Sequence, residues 1–152
     1  MVIYHELMFQ VSTKAQYALG ALQVLATTPG QYVSVKTLAS RKRYPLSYLQ
    51  EVLTPLKAAR LVESKEGSGG GYRLAKPARQ ITLLSVLEAI DGPLIPVKCV
   101  DPLSHCPKEK FCGSRTVWQE ATEQLKKFFT VKTVADIAGP LPVALTTAEC
   151  KI

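Results

Sequence analysis

The chain has 152 residues, 47% hydrophobic and 20% charged, a size and composition ordinary for one soluble globular domain with a real core. No apolar run approaches a membrane span, and Met1-Val2-Ile3-Tyr4-His5-Glu6-Leu7 has neither the basic start nor the long apolar core of a secretory signal, so a cytoplasmic protein with no membrane partner is expected. The net charge of +7 lies between Ser34 and Arg79, where ten Lys and Arg face three Glu, while nine basic and nine acidic residues balance elsewhere.

Residues 1 to 10 read as a lead-in, with Met8 an alternative start. Ser12 or Thr13 can cap a first helix over Lys14–Ala26, its buried stripe made by Ala18, Leu19, Leu22, Leu25 and Ala26 and broadened by Tyr17, Ala21 and Val24. Pro29-Gly30 ends it. Ser34 caps a second helix through Ser40 that buries Val35, Leu38 and Ala39, and Arg41-Lys42-Arg43 forms the turn beyond. Pro45 then suits the first position of a third helix, in which Leu49, Val52, Leu53 and Leu56 recur at helical spacing. A kink is expected at Pro55, because proline removes a backbone hydrogen bond and crowds the preceding turn.

The other face of that helix carries Ser47, Tyr48, Gln50 and Glu51, groups suited to the edges of bases. Leu61-Val62-Glu63-Ser64-Lys65 and Tyr72-Arg73-Leu74, joined by Glu66-Gly67-Ser68-Gly69-Gly70-Gly71, form a hairpin with a long tip. A polar-faced helix followed by a basic hairpin is the working end of a winged helix-turn-helix. Arg41, Arg43, Lys65 and Arg73 are its candidate DNA contacts, and the local basic excess would neutralise phosphates. The fold class is therefore mainly α with a small β-wing.

Thr82 caps a further helix to Ile90, with Leu83, Val86, Leu87 and Ile90 on one side, and Gly92-Pro93 stops it. The DNA-binding domain is assigned to residues 11–92. Residues 93–113 form an irregular loop rich in proline. Ser114 caps a long helix to Phe129, where Val117, Trp118, Ala121, Leu125, Phe128 and Phe129 make a heavy apolar stripe. So much apolar area on a terminal helix suggests a dimer surface, and residues 114–138, including a last helical turn over Thr133–Ile137, are assigned to dimerisation. Residues 139–152 read as a tail that carries Cys150.

The loop holds Cys99, Cys106 and Cys112, separated by six and five residues. That is not the paired spacing of a zinc ribbon. Soft thiolates suit zinc, copper(I) or an iron–sulfur cluster, and free buried thiols are a further reading. His105, adjacent to Cys106, is poorly placed to share its metal. Catalysis is not expected: there is no paired-carboxylate constellation, P-loop or dinucleotide fingerprint, and a Cys106–His105 pair would lack an orienting group.

Ser12-Thr13-Lys14-Ala15-Gln16-Tyr17-Ala18-Leu19, Leu46-Ser47-Tyr48-Leu49, Gly69-Gly70-Gly71-Tyr72-Arg73-Leu74, Ile81-Thr82-Leu83 and the three-cysteine loop follow one another in this order. Over about Val11 to Ile137 the chain resembles the IscR/NsrR/CymR family of bacterial winged-helix regulators, the Rrf-type repressors. The resemblance implies a homodimer built on the long C-terminal helix that binds palindromic operator DNA. It also implies a [2Fe-2S] or [4Fe-4S] cluster on Cys99, Cys106 and Cys112 that controls DNA binding in response to iron, redox state or nitric oxide. A cluster-free member, like the cysteine-metabolism regulator, would answer to a protein partner or to thiol oxidation instead. Three positions depart from the family pattern. The family's histidine ligand is replaced by Arg115, its aspartate on the first helix by Gln16, and its minor-groove arginine at the wing tip by Glu66.

Overall fold

The computed structural model describes residues 11–139. The lead-in with Met8 and the tail with Cys150 lie outside them. Six helices and one hairpin make up the described fold: α1 (Thr13–Ala26), α2 (Val35–Lys42), α3 (Leu46–Ala58), β1 (Val62–Lys65), β2 (Gly71–Leu74), α4 (Leu83–Asp91), α5 (Gly113–Val131) and α6 (Val134–Ile137).

Three helices begin where a hydroxyl can accept from the backbone three residues on. Ser12 Oγ takes the Ala15 N–H at 3.0 Å, Ser34 Oγ the Thr37 N–H at 3.1 Å and Thr82 Oγ1 the Ser85 N–H at 3.1 Å. Pro45 does not open α3 from inside; it is the N-cap, with extended backbone at ψ 132°. Because α2 runs on to Lys42, Arg41 and Lys42 belong to its last turn. Arg43 alone makes the left-handed residue that ends it, at φ 55°.

Helix α3 continues through Pro55 to Ala58 and does not end at the proline. The proline ring leaves the Glu51 carbonyl without its usual helical donor, while Leu49, Val52, Leu53 and Leu56 are all fully buried. Each such side chain contributes about 1.5–3 kcal/mol, which together outweighs the roughly 3 kcal/mol that an interior proline costs.

Helix α1 lies at the centre, packed against α2, α3, α4 and α6. Ala15, Ala18, Gly20, Ala21, Leu22, Val24 and Leu25 are its buried residues, whereas Leu19 and Ala26 are only partly covered. On α2 only Leu38 is fully buried; Val35 and Ala39 sit at the edge of the core.

Strands β1 and β2 pair antiparallel, from Val62 opposite Leu74 to Lys65 opposite Gly71. Val33 adds a bridge, exchanging two 2.8 Å hydrogen bonds with Tyr72. This close approach explains the glycine run: a Cβ on Gly71 would lie 2.3 Å from the Val33 carbonyl oxygen, and one on Gly70 2.3 Å from that of Lys65.

Residues 93–113 contain two single turns of 3₁₀ helix, Lys98–Val100 and Glu109–Phe111. Helix α5 starts two residues earlier than a Ser114 cap would set it, with Cys112 at the N-cap position. Its C-terminal end is stitched to α4 by the Leu83 N–H on the Lys132 carbonyl and the Val134 N–H on the Ile81 carbonyl, both 2.8 Å. Among the described residues no helix is long and apolar enough to cross a membrane.

Candidate nucleic-acid interface and cysteine loop

Ser47 and Gln50 lie exposed on α3. Glu51 is exposed too, and its carboxylate stands 3.6 Å from the Lys14 ammonium of α1. Tyr48 differs from its neighbours. Its ring meets the edge of Tyr17 at 4.9 Å, and Tyr17 stacks on Tyr44 at 4.0 Å. The half-buried Tyr48 therefore fixes the first turn of α3 against α1, while Ser47 and Gln50 stay exposed.

The basic residues sort in the same way. Lys36, Arg41, Arg43, Lys57, Arg60, Lys65, Lys76 and Arg79 are exposed. Lys42 is turned inward, donating to Gln23 Oε1, while Gln23 Nε2 donates to the Ile137 carbonyl at 2.8 Å. Burial lowers the Lys42 pKa. Arg73 is also engaged: it pairs with Glu63 across the hairpin, reaches the Gly30 carbonyl at 3.3 Å and lies 4.6 Å from the Tyr32 ring centroid. The hydrogen bond to Glu63 raises its pKa. Of the two wing residues singled out in the sequence, Lys65 keeps its charge at the surface, with its ammonium 5.9 Å from the same ring, and Arg73 braces the hairpin.

Between the wing tip and the start of α2 is an open cleft of about 450 Å³, lined among others by Gln31, Ser34, Thr37, Arg41, Gly67 and Gly70. Sequence reading missed it, because its walls come from the α1–α2 loop, α2 and the hairpin tip. Glu66 lies beside it on the exposed tip.

Cys99, Cys106 and Cys112 are free and half-buried. Cys99 lies in the first 3₁₀ turn, and Cys112 closes the second and opens α5. Cys112 Sγ is 3.1 Å from Ser114 Oγ, and that hydrogen bond lowers the thiol pKa. His105 is exposed. Arg115, in the first turn of α5, pairs with Glu109 at 2.6 Å; the bond holds the Glu109 carboxyl below its ordinary range and the guanidinium above its own. The Cys99 and Cys106 thiols act on Arg115 in the same direction. Its buried Nε has no hydrogen-bond partner among the described residues.

Among the described residues no group of three or more His, Cys, Asp or Glu side chains stands close enough to hold a metal ion together. The donors are of the soft kind that an iron–sulfur group takes, but the described residues do not bring them together.

On α5 the apolar stripe divides. Phe129 packs on the core of its own chain, and Trp118, Ala121 and Leu125 are half-covered. Val117 is 61% exposed, Phe128 55% and Val131 70%. Val117, Ala121, Gln124, Phe128 and Val131 follow one another at steps of four and three, the seam of a helix that packs against another helix.

A family model described as "Rrf2: Iron-dependent Transcriptional regulator" matches residues 11–140. A provisionally named HTH-type transcriptional regulator of Mycobacterium tuberculosis is 36% identical over 135 residues, covering 86% of this chain and 81% of its own. Among solved structures, CymR, the global cysteine regulator of Bacillus subtilis, superposes with a TM-score of 0.71 at 28% identity, covering 86% of this chain and 96% of that one. The IscR of T. potens gives a TM-score of 0.68 at 28% identity, covering 85% of each chain.

Proposed function

The chain belongs to the Rrf2 family of transcriptional regulators, and from that premise we propose that it is a homodimeric repressor of palindromic operators whose DNA affinity is set by an iron–sulfur cluster on Cys99, Cys106 and Cys112. The observation that carries the DNA-binding reading is the coincidence of charge and exposure. The basic excess of the chain lies on the helix-turn-helix and wing, and Ser47, Gln50, Arg41, Arg43 and Lys65 are all exposed there.

In this reading α3 enters the major groove with Ser47 and Gln50 toward base edges. Arg41 and Arg43 flank it on the backbone side, and Lys65 supplies salt-dependent affinity from the wing. Arg73 acts indirectly, by holding the hairpin that carries Lys65. A cluster bound to the loop would supply a redox couple and an iron site open to oxygen or nitric oxide. Cys112 is the residue through which the loop reaches the dimer helix, since it ends the loop and caps α5.

A second reading is cluster-free control by thiol oxidation or a protein partner. It is favoured by the 3.1 Å contact of Cys112 Sγ with Ser114 Oγ, which lowers the thiol pKa and so favours the thiolate, and by the likeness to CymR.

Anaerobic reconstitution with iron and sulfide, followed by operator binding of wild type and Cys106→Ala, separates the two. The first reading expects a brown wild type, a colourless folded mutant and a shift of about tenfold in operator affinity, or ~1.4 kcal/mol of coupling. A wild type that stays colourless would leave the thiol reading in its place.

A further inference from the structure

Gly20 stands near the middle of α1, a helix of 14 residues, and is buried. Glycine is the poorest helix former after proline, and Gly20 does not adopt the positive φ that would call for one. Space is the reason for it. A Cβ there would lie 2.3 Å from the Tyr44 hydroxyl oxygen and 3.1 Å from the ring atoms Cε2 and Cζ. The missing side chain leaves a notch in α1 that receives the phenol end of Tyr44.

Tyr44 is the residue between the two helices of the helix-turn-helix. Arg43 before it ends α2, and Pro45 after it caps α3. Its ring stacks on Tyr17 at 4.0 Å with the planes 27° apart, and Tyr17 meets Tyr48 edge-on at 4.9 Å. These rings reach a part of α3 that the core does not hold. The buried stripe begins at Leu49, whereas Leu46 is 43% exposed and Ser47 is exposed. The ion pair of Lys14 with Glu51 is at least half-exposed on both sides, and such pairs contribute little. The N-terminal turn of a recognition helix is the part that meets base edges, so its placement against α1 falls to the three rings and the notch.

We propose that Tyr44, seated against Gly20, is a positioning residue that sets the direction in which the first turn of α3 meets DNA, and so the discrimination between operator and other sequences. This rests on the reading of α3 as the recognition helix. Base-edge hydrogen bonds fail with small errors of angle, whereas phosphate contacts from long basic side chains follow charge and adapt. A misplaced α3 therefore loses specific affinity and keeps non-specific affinity.

The test uses full-length wild type, Gly20→Ala, Tyr44→Leu, Tyr44→Phe and the double variant Gly20→Ala/Tyr44→Phe. Each is checked by circular dichroism and urea unfolding and assayed well below its unfolding midpoint. Binding is measured to a duplex selected by the wild type from random-sequence DNA and to a scrambled duplex of the same length and composition, at several salt concentrations. Gly20→Ala drives a methyl into the stacked phenol, and Tyr44→Leu empties the notch without a clash. Both should lower the ratio of selected to scrambled affinity by about tenfold, the weight of one base contact, with the scrambled affinity and its salt slope unchanged. Gly20→Ala should cost less in the Tyr44→Phe background, where the hydroxyl that it meets is gone. Folded variants that keep the wild-type ratio, or that weaken both duplexes equally, overturn the positioning role. A wild type that selects no sequence from the pool overturns the recognition-helix reading itself.

Discussion

Arg43 combines a strained backbone with a side chain proposed to meet DNA. It ends α2 with φ 55°, a conformation in which Cβ crowds the backbone of any residue but glycine. The backbone gains from it: the Tyr44 N–H reaches the Ala39 carbonyl at 3.0 Å and closes the helix. A glycine would close the same turn without strain, yet this position carries an exposed guanidinium on the turn proposed to face DNA. Arg43→Gly is therefore expected to raise unfolding free energy by about 1 kcal/mol or less, the strain relieved being partly offset by glycine's freedom in the unfolded chain. It should also lower the slope of log affinity against log salt by about 1. Urea unfolding and operator binding at several salt concentrations check the two effects separately. A mutant that is both less stable and unchanged in salt dependence would contradict the assignment.

At the scale of elements, the short helix α6 depends on its capping box. Asp136 Oδ2 accepts the Thr133 N–H at 2.6 Å and the Thr133 hydroxyl at 2.8 Å. The backbone hydrogen bond is the first cause of the lowered Asp136 pKa. A carboxyl with a depressed folded pKa stabilises above its unfolded pKa, about 4, and that stability is lost as pH falls through the folded pKa. Asp136→Asn should accordingly lower stability at neutral pH and flatten the loss of stability on acidification. Thermal unfolding of both proteins across the acid range measures it, and parallel pH profiles would argue against the cap. The element matters because α6 carries fully buried Val134 and offers the Ile137 carbonyl to Gln23, which in turn holds Lys42 at the end of α2. The C-terminal segment is thus joined to the helix-turn-helix through α1.

At the scale of the whole molecule, the exposed apolar residues of α5 bear on the proposed dimer. Val117, Phe128 and Val131 expose apolar area that the chain's own core does not cover. Phe128→Glu leaves the monomer core intact, because Phe129 and not Phe128 packs on it. A carboxylate buried unpaired in a helix–helix seam costs about 3 kcal/mol or more, so light scattering should show monomers with unchanged circular dichroism and weakened operator binding. Trp118→Glu is a poorer probe, since Trp118 is half-covered within its own chain. A Phe128→Glu dimer as stable as wild type would move the interface elsewhere.

The sequence by itself determined the local grammar of this protein. The three hydroxyl caps were legible because each bonds a backbone N–H three residues on, and so were the apolar periods of the helices and the glycine-rich wing. Composition placed the charge excess on the same segment. Tertiary structure decided which of the legible residues are free to act. Tyr48 is committed to Tyr17, Lys42 to Gln23, Arg73 to Glu63 and Tyr32, and Phe129 to the core. Three of these partners are distant in sequence, and even the Arg73–Glu63 pairing requires the exact hairpin register. The Arg115–Glu109 pair spans the end of a loop with no periodicity to read. Periodicity and capping are short-range and survive in the one-dimensional code, whereas the pairing of a charge or a ring depends on which surfaces the packed helices bring together.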